Sequence, residues 1–301
     1  MNHIIPEDYA NSTYNTDAIH LESIQLIINE KSSYDLIVDL GFGDGRVTRK
    51  LSENLLHKHV VAIDVVPEML AHAVANSSDD TSIEYVLQDM SVPWLELSPR
   101  IRQLESKVDL LFSNVVLNYM SNKRQIMEII GRLLSSDGLF FANIVIFKDL
   151  TENKQLLDSM FDERQQQLLC QSIDRQFNDW KQSIIDNKFH IKQFKLMSDN
   201  EIMTRKQIID FMPVLVECYA IYYKDRHHFD TEVKGDRFRD LLFNTYFSCL
   251  TVGESVTETN NNNNNNNNQS VMMSWKQFLA DNTIHEMQLS WHFVRVMAYN
   301  Q

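Results

Sequence analysis

Cysteine is scarce in this 301-residue chain, and the three present, Cys170, Cys218 and Cys249, stand too far apart to share a metal ion. An odd, sparse set is what reduced thiols in a cytosolic compartment leave, so disulfide scaffolds are excluded and a cytoplasmic location is expected. No metal is expected either. The neighbours His227 and His228 and the pair His57/His59 have no cysteine or carboxylate cluster to complete a site, and read as solvated histidines. No apolar run approaches the ~20 residues that span a bilayer. The opening Met1-Asn2-His3-Ile4-Ile5-Pro6-Glu7-Asp8 lacks a basic stretch followed by an apolar one, so no secretory signal is expected. Positive charge is also short. Lys and Arg number 28 against 41 Asp and Glu, a formal charge of −13, and the basic residues are scattered. Nucleic-acid binding needs a basic face that displaces counterions, so neither nucleic acid nor membrane is an expected partner.

What is present is an ordinary globular composition, 44% hydrophobic and 10% aromatic, with length enough for a full core. The first half alternates short apolar runs with helical patterns. Strands are expected at 36–40, 60–64, 83–87, 108–114 and 139–147. Helices are expected at 45–56, at 67–76 with Pro67 in the first turn, and at 122–135 with an apolar stripe of Ile126, Ile129, Ile130, Leu133 and Leu134. Strands alternating with helices mean βαβ units and a largely parallel sheet.

The second half reads as mostly helical at 153–189, with a strand at 190–197, helices at 204–248, and a last helix at 274–282. Asparagines fill 260–268, a tract that cannot build a core and is expected to be a disordered loop. The partly alternating, aromatic run 289–299 is a terminal strand that returns to the sheet. The expected fold is an α/β Rossmann-like sheet of seven mostly parallel strands flanked by helices. Its parts would be a core over 1–200, a helical cap inserted over 201–284, and a last strand in 285–301.

The segment of most chemical interest is Asp39-Leu40-Gly41-Phe42-Gly43-Asp44-Gly45, between the first strand and its helix. Glycines there let the backbone turn sharply and let a ligand approach without a Cβ in the way. In an open parallel sheet this loop lies at the carboxyl end of the strands, where ligands bind. Asp39 can reach over the loop. Asp64 ends the second strand, placed for both hydroxyls of a ribose. A dinucleotide fingerprint wants its third glycine one place later, where Arg46 stands, and Asp39 would be a poor neighbour for pyrophosphate.

These residues resemble the first motif of class I S-adenosylmethionine-dependent methyltransferases, and Ala62-Ile63-Asp64-Val65-Val66-Pro67-Glu68-Met69-Leu70 resembles the second. Gln88-Asp89-Met90 falls where that family places the acid at the adenine amino group, and 108–120 is similar to its motif after the fourth strand. The resemblance implies S-adenosyl-L-methionine as cofactor, held by Asp39, Gly41, Gly43, Gly45, Asp64, Val65, Gln88, Asp89, Met90 and Asn114.

Across the whole chain the sequence is similar to arthropod juvenile hormone acid O-methyltransferases and, more distantly, to trans-aconitate methyltransferases. The points of contact are Tyr9-Ala10-Asn11-Ser12, Asp17-Ala18, Leu117-Asn118-Tyr119 and the ending Val294-Arg295-Val296-Met297-Ala298-Tyr299. That family orients its substrate carboxylate with a glutamine and a tryptophan, whose places hold Tyr14 and Tyr119 here; Asn118 replaces the usual histidine. The resemblance therefore implies a small-molecule acid as partner, with Tyr14 and Tyr119 orienting it, and a homodimer as the form of assembly to test. A carboxylate is ionised at neutral pH and needs no general base. The absence of a catalytic dyad fits an in-line transfer carried by alignment and exclusion of water.

Two other readings stay open, a different acceptor such as an amine or a protein side chain, and a binding protein that keeps the fold without the chemistry. The cap residues Phe211, Met212, Leu215, Tyr219, Tyr222, Tyr223, Phe243, Tyr246 and Phe247 are open to two roles, walls of an apolar pocket or the cap's own core.

Overall fold

The computed structural model describes residues 6, 17–77, 81–159, 161, 163–220, 232–249 and 273–301. The Asn tract, Tyr14 and the His227/His228 pair lie outside these residues. The chain begins with α1 (Asp17–Glu30), then alternates β1 (Ser33–Leu40), α2 (Arg46–Asn54), β2 (Leu56–Asp64), α3 (Pro67–Ala75) and β3 (Ile83–Leu87). The short α4 (Pro99–Arg102) leads to β4 (Val108–Asn114), α5 (Lys123–Leu133) and β5 (Leu134–Ile146). The stretch expected to be helical after β5 is three pieces, α6 (Lys154–Asp158), α7 (Glu163–Leu169) and α8 (Ile173–Asp186). Then come β6 (His190–Thr204), α9 (Arg205–Ala220), α10 (Glu232–Tyr246), β7 (Phe247–Cys249), α11 (Trp275–Ala280) and β8 (Glu286–Tyr299).

The sheet order is β3-β2-β1-β4-β5-β8-β6, with β7 paired to β8. The first five strands are parallel, and β8 runs antiparallel to both β5 and β6. This is the Rossmann-like α/β sheet expected from the sequence, with the three-residue β7 as an eighth strand. β7 lies at the end of a stretch read as wholly helical; its pairing partner at Met287 to Leu289 is some forty residues away, so no local pattern announces it. β6 continues to Thr204 instead of ending near 197, because β8 supplies hydrogen-bond partners along its whole length. β5 ends level with His292 of β8, so β6 and the first half of β8 run past it as a ribbon. That ribbon carries α9–α11 beyond the carboxyl ends of the parallel strands.

Both faces of the sheet are buried, so its strands alternate between two cores. Leu111, Phe140, Ala142, Val294 and Val296 face Ile126, Ile130 and Leu133 of α5 and Trp180 and Ile184 of α8. Leu110, Phe112, Phe141 and Met297 face Ile24 and Ile27 of α1 and Leu51 of α2. A third core joins Ile208, Met212, Phe238, Leu242, Phe243 and Phe278 of the covering helices to Met287 and Leu289 of the ribbon. The chain passes from β3 at one edge back to β4 on the far side of β1. The strand order reverses at that point, and the crevice outside the carboxyl ends of β1 and β4 is the place such a sheet leaves for a ligand.

Candidate active site

The loop after β1 is shaped by its glycines. Gly41, Gly43 and Gly45 all have positive φ, at 87°, 55° and 76°. The first is also sterically committed, since a Cβ on Gly41 would lie 2.1 Å from Cγ2 of Val116. Gly45 caps α2, and a Cβ there would meet Ala73 of α3 at 2.9 Å. Gly45 is not among the residues that wall the two cavities described below, and its close approach to Ala73 packs the loop against α3.

Two adjoining cavities open at the switch point, of about 120 and 100 Å³. The smaller is walled by Gly41, Gly43, Asp64, Val65, Gln88, Asp89, Met90 and Tyr119. The larger takes in Asp39, Gly41, Gly43, Asn114 and Tyr119, and continues under the covering helices to Phe147, Phe211, Leu215, Tyr246, Leu289 and Trp291. Every sequence-expected site residue among those described, Gly45 apart, therefore lies on one or both walls. Tyr14 lies outside the described residues. Tyr119, in a single 3-10 turn (Leu117–Tyr119), stands where the two cavities meet. Of the cap residues, Phe211, Leu215 and Tyr246 belong both to the cap's core and to the cavity wall, whereas Met212, Phe243 and Phe247 serve the core alone.

Two carboxylates dominate the electrostatics. Asp39 is 1% exposed and accepts a 2.6 Å hydrogen bond from the Thr48 hydroxyl. Burial pushes its carboxyl up to about 7, the Thr48 bond lowers it, and the charge of Asp64 raises it further; no cation is among these influences. Asp64 accepts from the backbone N–H of Gly43 at 2.9 Å and of Val66 at 3.0 Å. Burial still raises its carboxyl above the usual range, against those backbone donors. A buried and a half-buried carboxylate without a cation are costly, and a ligand that brings positive charge and hydroxyl donors relieves them. Gln88 and Asp89 are held by Ser98 and Ser91: Ser98 N–H donates to Gln88 Oε1 at 2.9 Å and Ser91 N–H to Asp89 Oδ1 at 2.8 Å.

The opposite wall has features that the linear reading missed. Val115, between Asn114 and the Val116 that confronts Gly41, has φ 59° and lines both cavities. A β-branched residue in the left-handed region is strained, and Val115 is held there by its N–H donating to the Asn143 carbonyl at 2.8 Å. His20 of α1, 3% exposed, also lines the larger cavity, its Nε2 2.8 Å from Asn114 Nδ2. The signal for α1 was hidden because its buried stripe His20, Ser23, Ile24, Ile27 is half polar. Among the described residues no group of His, Cys, Asp and Glu is placed to hold a metal, and no helix is long and apolar enough to cross a membrane.

The methyltransferase-domain family matches residues 38–142, the part of the chain that runs from β1 to β5. An uncharacterized methyltransferase of Schizosaccharomyces pombe is 28% identical over 156 residues, 49% of this chain and 56% of that protein. A malonyl-[acyl-carrier protein] O-methyltransferase of Bacillus cereus is 28% identical over 103 residues, covering 34% and 35%. The phosphoethanolamine N-methyltransferase 1 of Triticum aestivum is 24% identical over 167 residues, covering 50% and 30%. The chain thus spans about half or less of the length of these curated relatives. Among solved structures, the YcgJ protein of Bacillus subtilis shares the fold with a TM-score of 0.51 at 10% identity, over 94% of this chain and 99% of that one.

Proposed function

We propose that this chain, whose residues 38–142 match the methyltransferase-domain family, transfers a methyl group from S-adenosylmethionine to the ionised oxygen of a lipophilic carboxylic acid. The observation that carries the reading is the pairing of two carboxylates, Asp39 buried and Asp64 half-buried, that no cation offsets, with a cavity that turns apolar as it passes under the cap. Asp39 would take the ammonium group of the methionine part, and Asp64 the two ribose hydroxyls. Gln88, Asp89, Met90 and Val65 would hold the adenine end, with Gly41 and Gly43 giving the close backbone approach between them. When bound, the cofactor supplies an electrophilic methyl group on a sulfonium. Everything else falls to the chain's own residues, which must align the acceptor and keep water out.

Phe147, Phe211, Leu215, Leu289 and Trp291 form the apolar wall that suits a hydrocarbon body. Asn114, Asn118 and Tyr119 place polar groups at the inner end of that wall, next to the glycine loop. Tyr119 can donate its hydroxyl hydrogen to a carboxylate, and Tyr14 would be its partner in doing so. Stripping water from the acceptor oxygen raises its reactivity toward a cation, and alignment in a closed cavity supplies about 7–11 kcal/mol of the barrier.

The reading is supported by a relative named for O-methylation of malonyl-[acyl-carrier protein]. Another relative is named for N-methylation of phosphoethanolamine, and the apolar wall here argues against so small and polar an acceptor. Calorimetric titration with S-adenosylmethionine and S-adenosylhomocysteine tests the cofactor. A screen of long-chain and isoprenoid acids, farnesoic acid among them, then tests the acceptor. Binding of neither cofactor form would leave a Rossmann-like scaffold without this chemistry.

A further inference from the structure

Three adjacent strands carry a polar residue at one level of the sheet. Asn114 of β4 stands opposite Asn143 of β5, and Asn143 opposite Arg295 of β8. All three share the face covered by α1, where the neighbours two residues along, Phe112, Phe141 and Met297, are apolar. Arg295 is 1% exposed. Its Nη1 and Nη2 donate to the Glu22 carboxylate at 2.7 and 3.0 Å, and its Nε donates to Asn143 Oδ1 at 3.1 Å. Asn143 Nδ2 donates to Asn114 Oδ1 at 2.8 Å and to Ser23 Oγ at 3.0 Å. Asn114 Nδ2 meets His20 Nε2 at 2.8 Å.

The direction of this chain follows from its first member. A guanidinium has five donors and no acceptor, so Asn143 must turn its oxygen to Arg295 and its NH₂ to Asn114. Asn114 then accepts through oxygen and presents its own NH₂ to His20. Nε2 of His20 is thereby the acceptor, and the ring hydrogen sits on Nδ1. Ser23 fixes the same orientation independently. Its hydroxyl hydrogen goes to the Ile19 carbonyl at 2.7 Å, which leaves Oγ to accept from Asn143.

We propose that this one-way chain from Arg295 through Asn143 and Asn114 holds His20 as the Nδ1–H imidazole with its Nε2 lone pair occupied, so that the site methylates an acceptor already ionised on arrival. The proposal rests on the methyl-transfer reading and deepens it by assigning the tautomer that keeps His20 from acting as a base. His20 is the one histidine on either cavity wall among the described residues. The other titratable or charged groups there are Asp39, Asp44, Asp64, Asp89, Arg46, Tyr119 and Tyr246. The four carboxylates are engaged by Thr48, by the Arg46 N–H, by Gly43 and Val66, and by Ser91 respectively. Glu22 and Arg295 are paired to one another behind α1, so charge balance there is met without His20. Burying a guanidinium and two amides beneath a helix is expensive for stability alone, where apolar residues would pack as well. Asn143 and Arg295 are positioning residues in this account: they touch His20 only through Asn114.

The test is imidazole ¹⁵N NMR of the full chain, alone and with S-adenosylhomocysteine, the His20 signal being identified by its absence in H20Q. The expected spectrum is that of the Nδ1–H form. In N143L the Arg295 end is disconnected, and the ring should show both tautomers. A wild-type ring with its hydrogen on Nε2, or with both nitrogens protonated, would overturn the proposal. Kinetics give the second arm, with farnesoic acid and farnesol as paired probes. H20Q, whose amide oxygen can accept from Asn114, should keep kcat within about tenfold, where loss of a general base costs about 10²–10⁴-fold. A rate that rises through neutral pH with farnesol and loses that rise in H20Q would make His20 a base and defeat the inference. Failure to bind S-adenosylhomocysteine would defeat the methyl-transfer reading instead, and the NMR result would still decide the tautomer.

Discussion

Gly41 and Val116 face each other so closely that a β-carbon on Gly41 would stand 2.1 Å from Cγ2 and 2.6 Å from Cγ1 of Val116. The contact joins the loop after β1 to the end of β4, the two sides of the switch point. G41A should therefore weaken S-adenosylmethionine binding at least tenfold by calorimetry, and lower stability by about 1–3 kcal/mol. The double variant G41A/V116A removes the clash but keeps φ at 87°. It should recover part of the stability and not all. Full recovery would show that the left-handed backbone matters little here.

Asp64 has two duties, holding the Gly43 and Val66 amides and offering its charge to the smaller cavity. D64N keeps the size and loses the charge, and D64A loses both. Hydrogen bonds to a charged group are worth about 1.5–3 kcal/mol, so D64N should weaken cofactor binding about 10–100-fold and D64A further. Unchanged affinity in D64N would remove Asp64 from the cofactor site.

Asp39 sets a pH dependence whose sign is determined. Its carboxyl, ordinarily near 3.8, is pushed up to about 7 by burial. Between those values the folded chain keeps a proton that the unfolded chain has lost, so this group's stability is full below 3.8 and lost as pH rises through 7. Without cofactor, D39N should melt at a higher temperature than the wild type above about pH 7, with the gap closing toward about pH 4. A cationic ligand beside Asp39 favours the carboxylate, so binding S-adenosylmethionine at about pH 6 should release a proton. Calorimetry in buffers of different ionisation enthalpy reads that proton, and D39N should not show it.

The cap is strapped to the sheet at Lys148. Its backbone N–H donates to the Tyr246 hydroxyl at 3.1 Å, its Nζ donates to the Thr245 carbonyl at 2.8 Å, and the ammonium sits 5.0 Å from the Tyr246 ring centre. Y246F removes the hydroxyl and should cost about 0.5–1.5 kcal/mol in denaturant titration. Because Tyr246 lines only the larger cavity, KM for the acceptor should rise while the cofactor affinity stays put. A change confined to the cofactor would relocate the acceptor pocket.

Much of the parallel half was legible in the linear order of residues. Strand and helix repeat locally, and the Asp39 to Gly45 loop with Asp64 depends on spacing along a short stretch, so pattern alone reaches it. What escaped has partners distant in sequence. β7 exists through β8, and the far half of β6 exists through the same strand. α1 was overlooked because His20 and Ser23 interrupt its apolar stripe, and their burial makes sense only against Asn114 and Asn143.

The order of residues by itself determined the βαβ alternation, the glycine loop and the acids that end the first two strands, because each rests on backbone geometry and periodicity within some twenty residues. Tertiary structure alone decided which cap side chains face the cavity, how Val116 forbids a side chain at Gly41, and how Arg295 and His20 come to meet the two asparagines. Those depend on strand register and on donors meeting acceptors across the sheet. Such relations are formed only when segments far apart in sequence are brought together, as His20 is to Asn114 and Arg295 to Asn143.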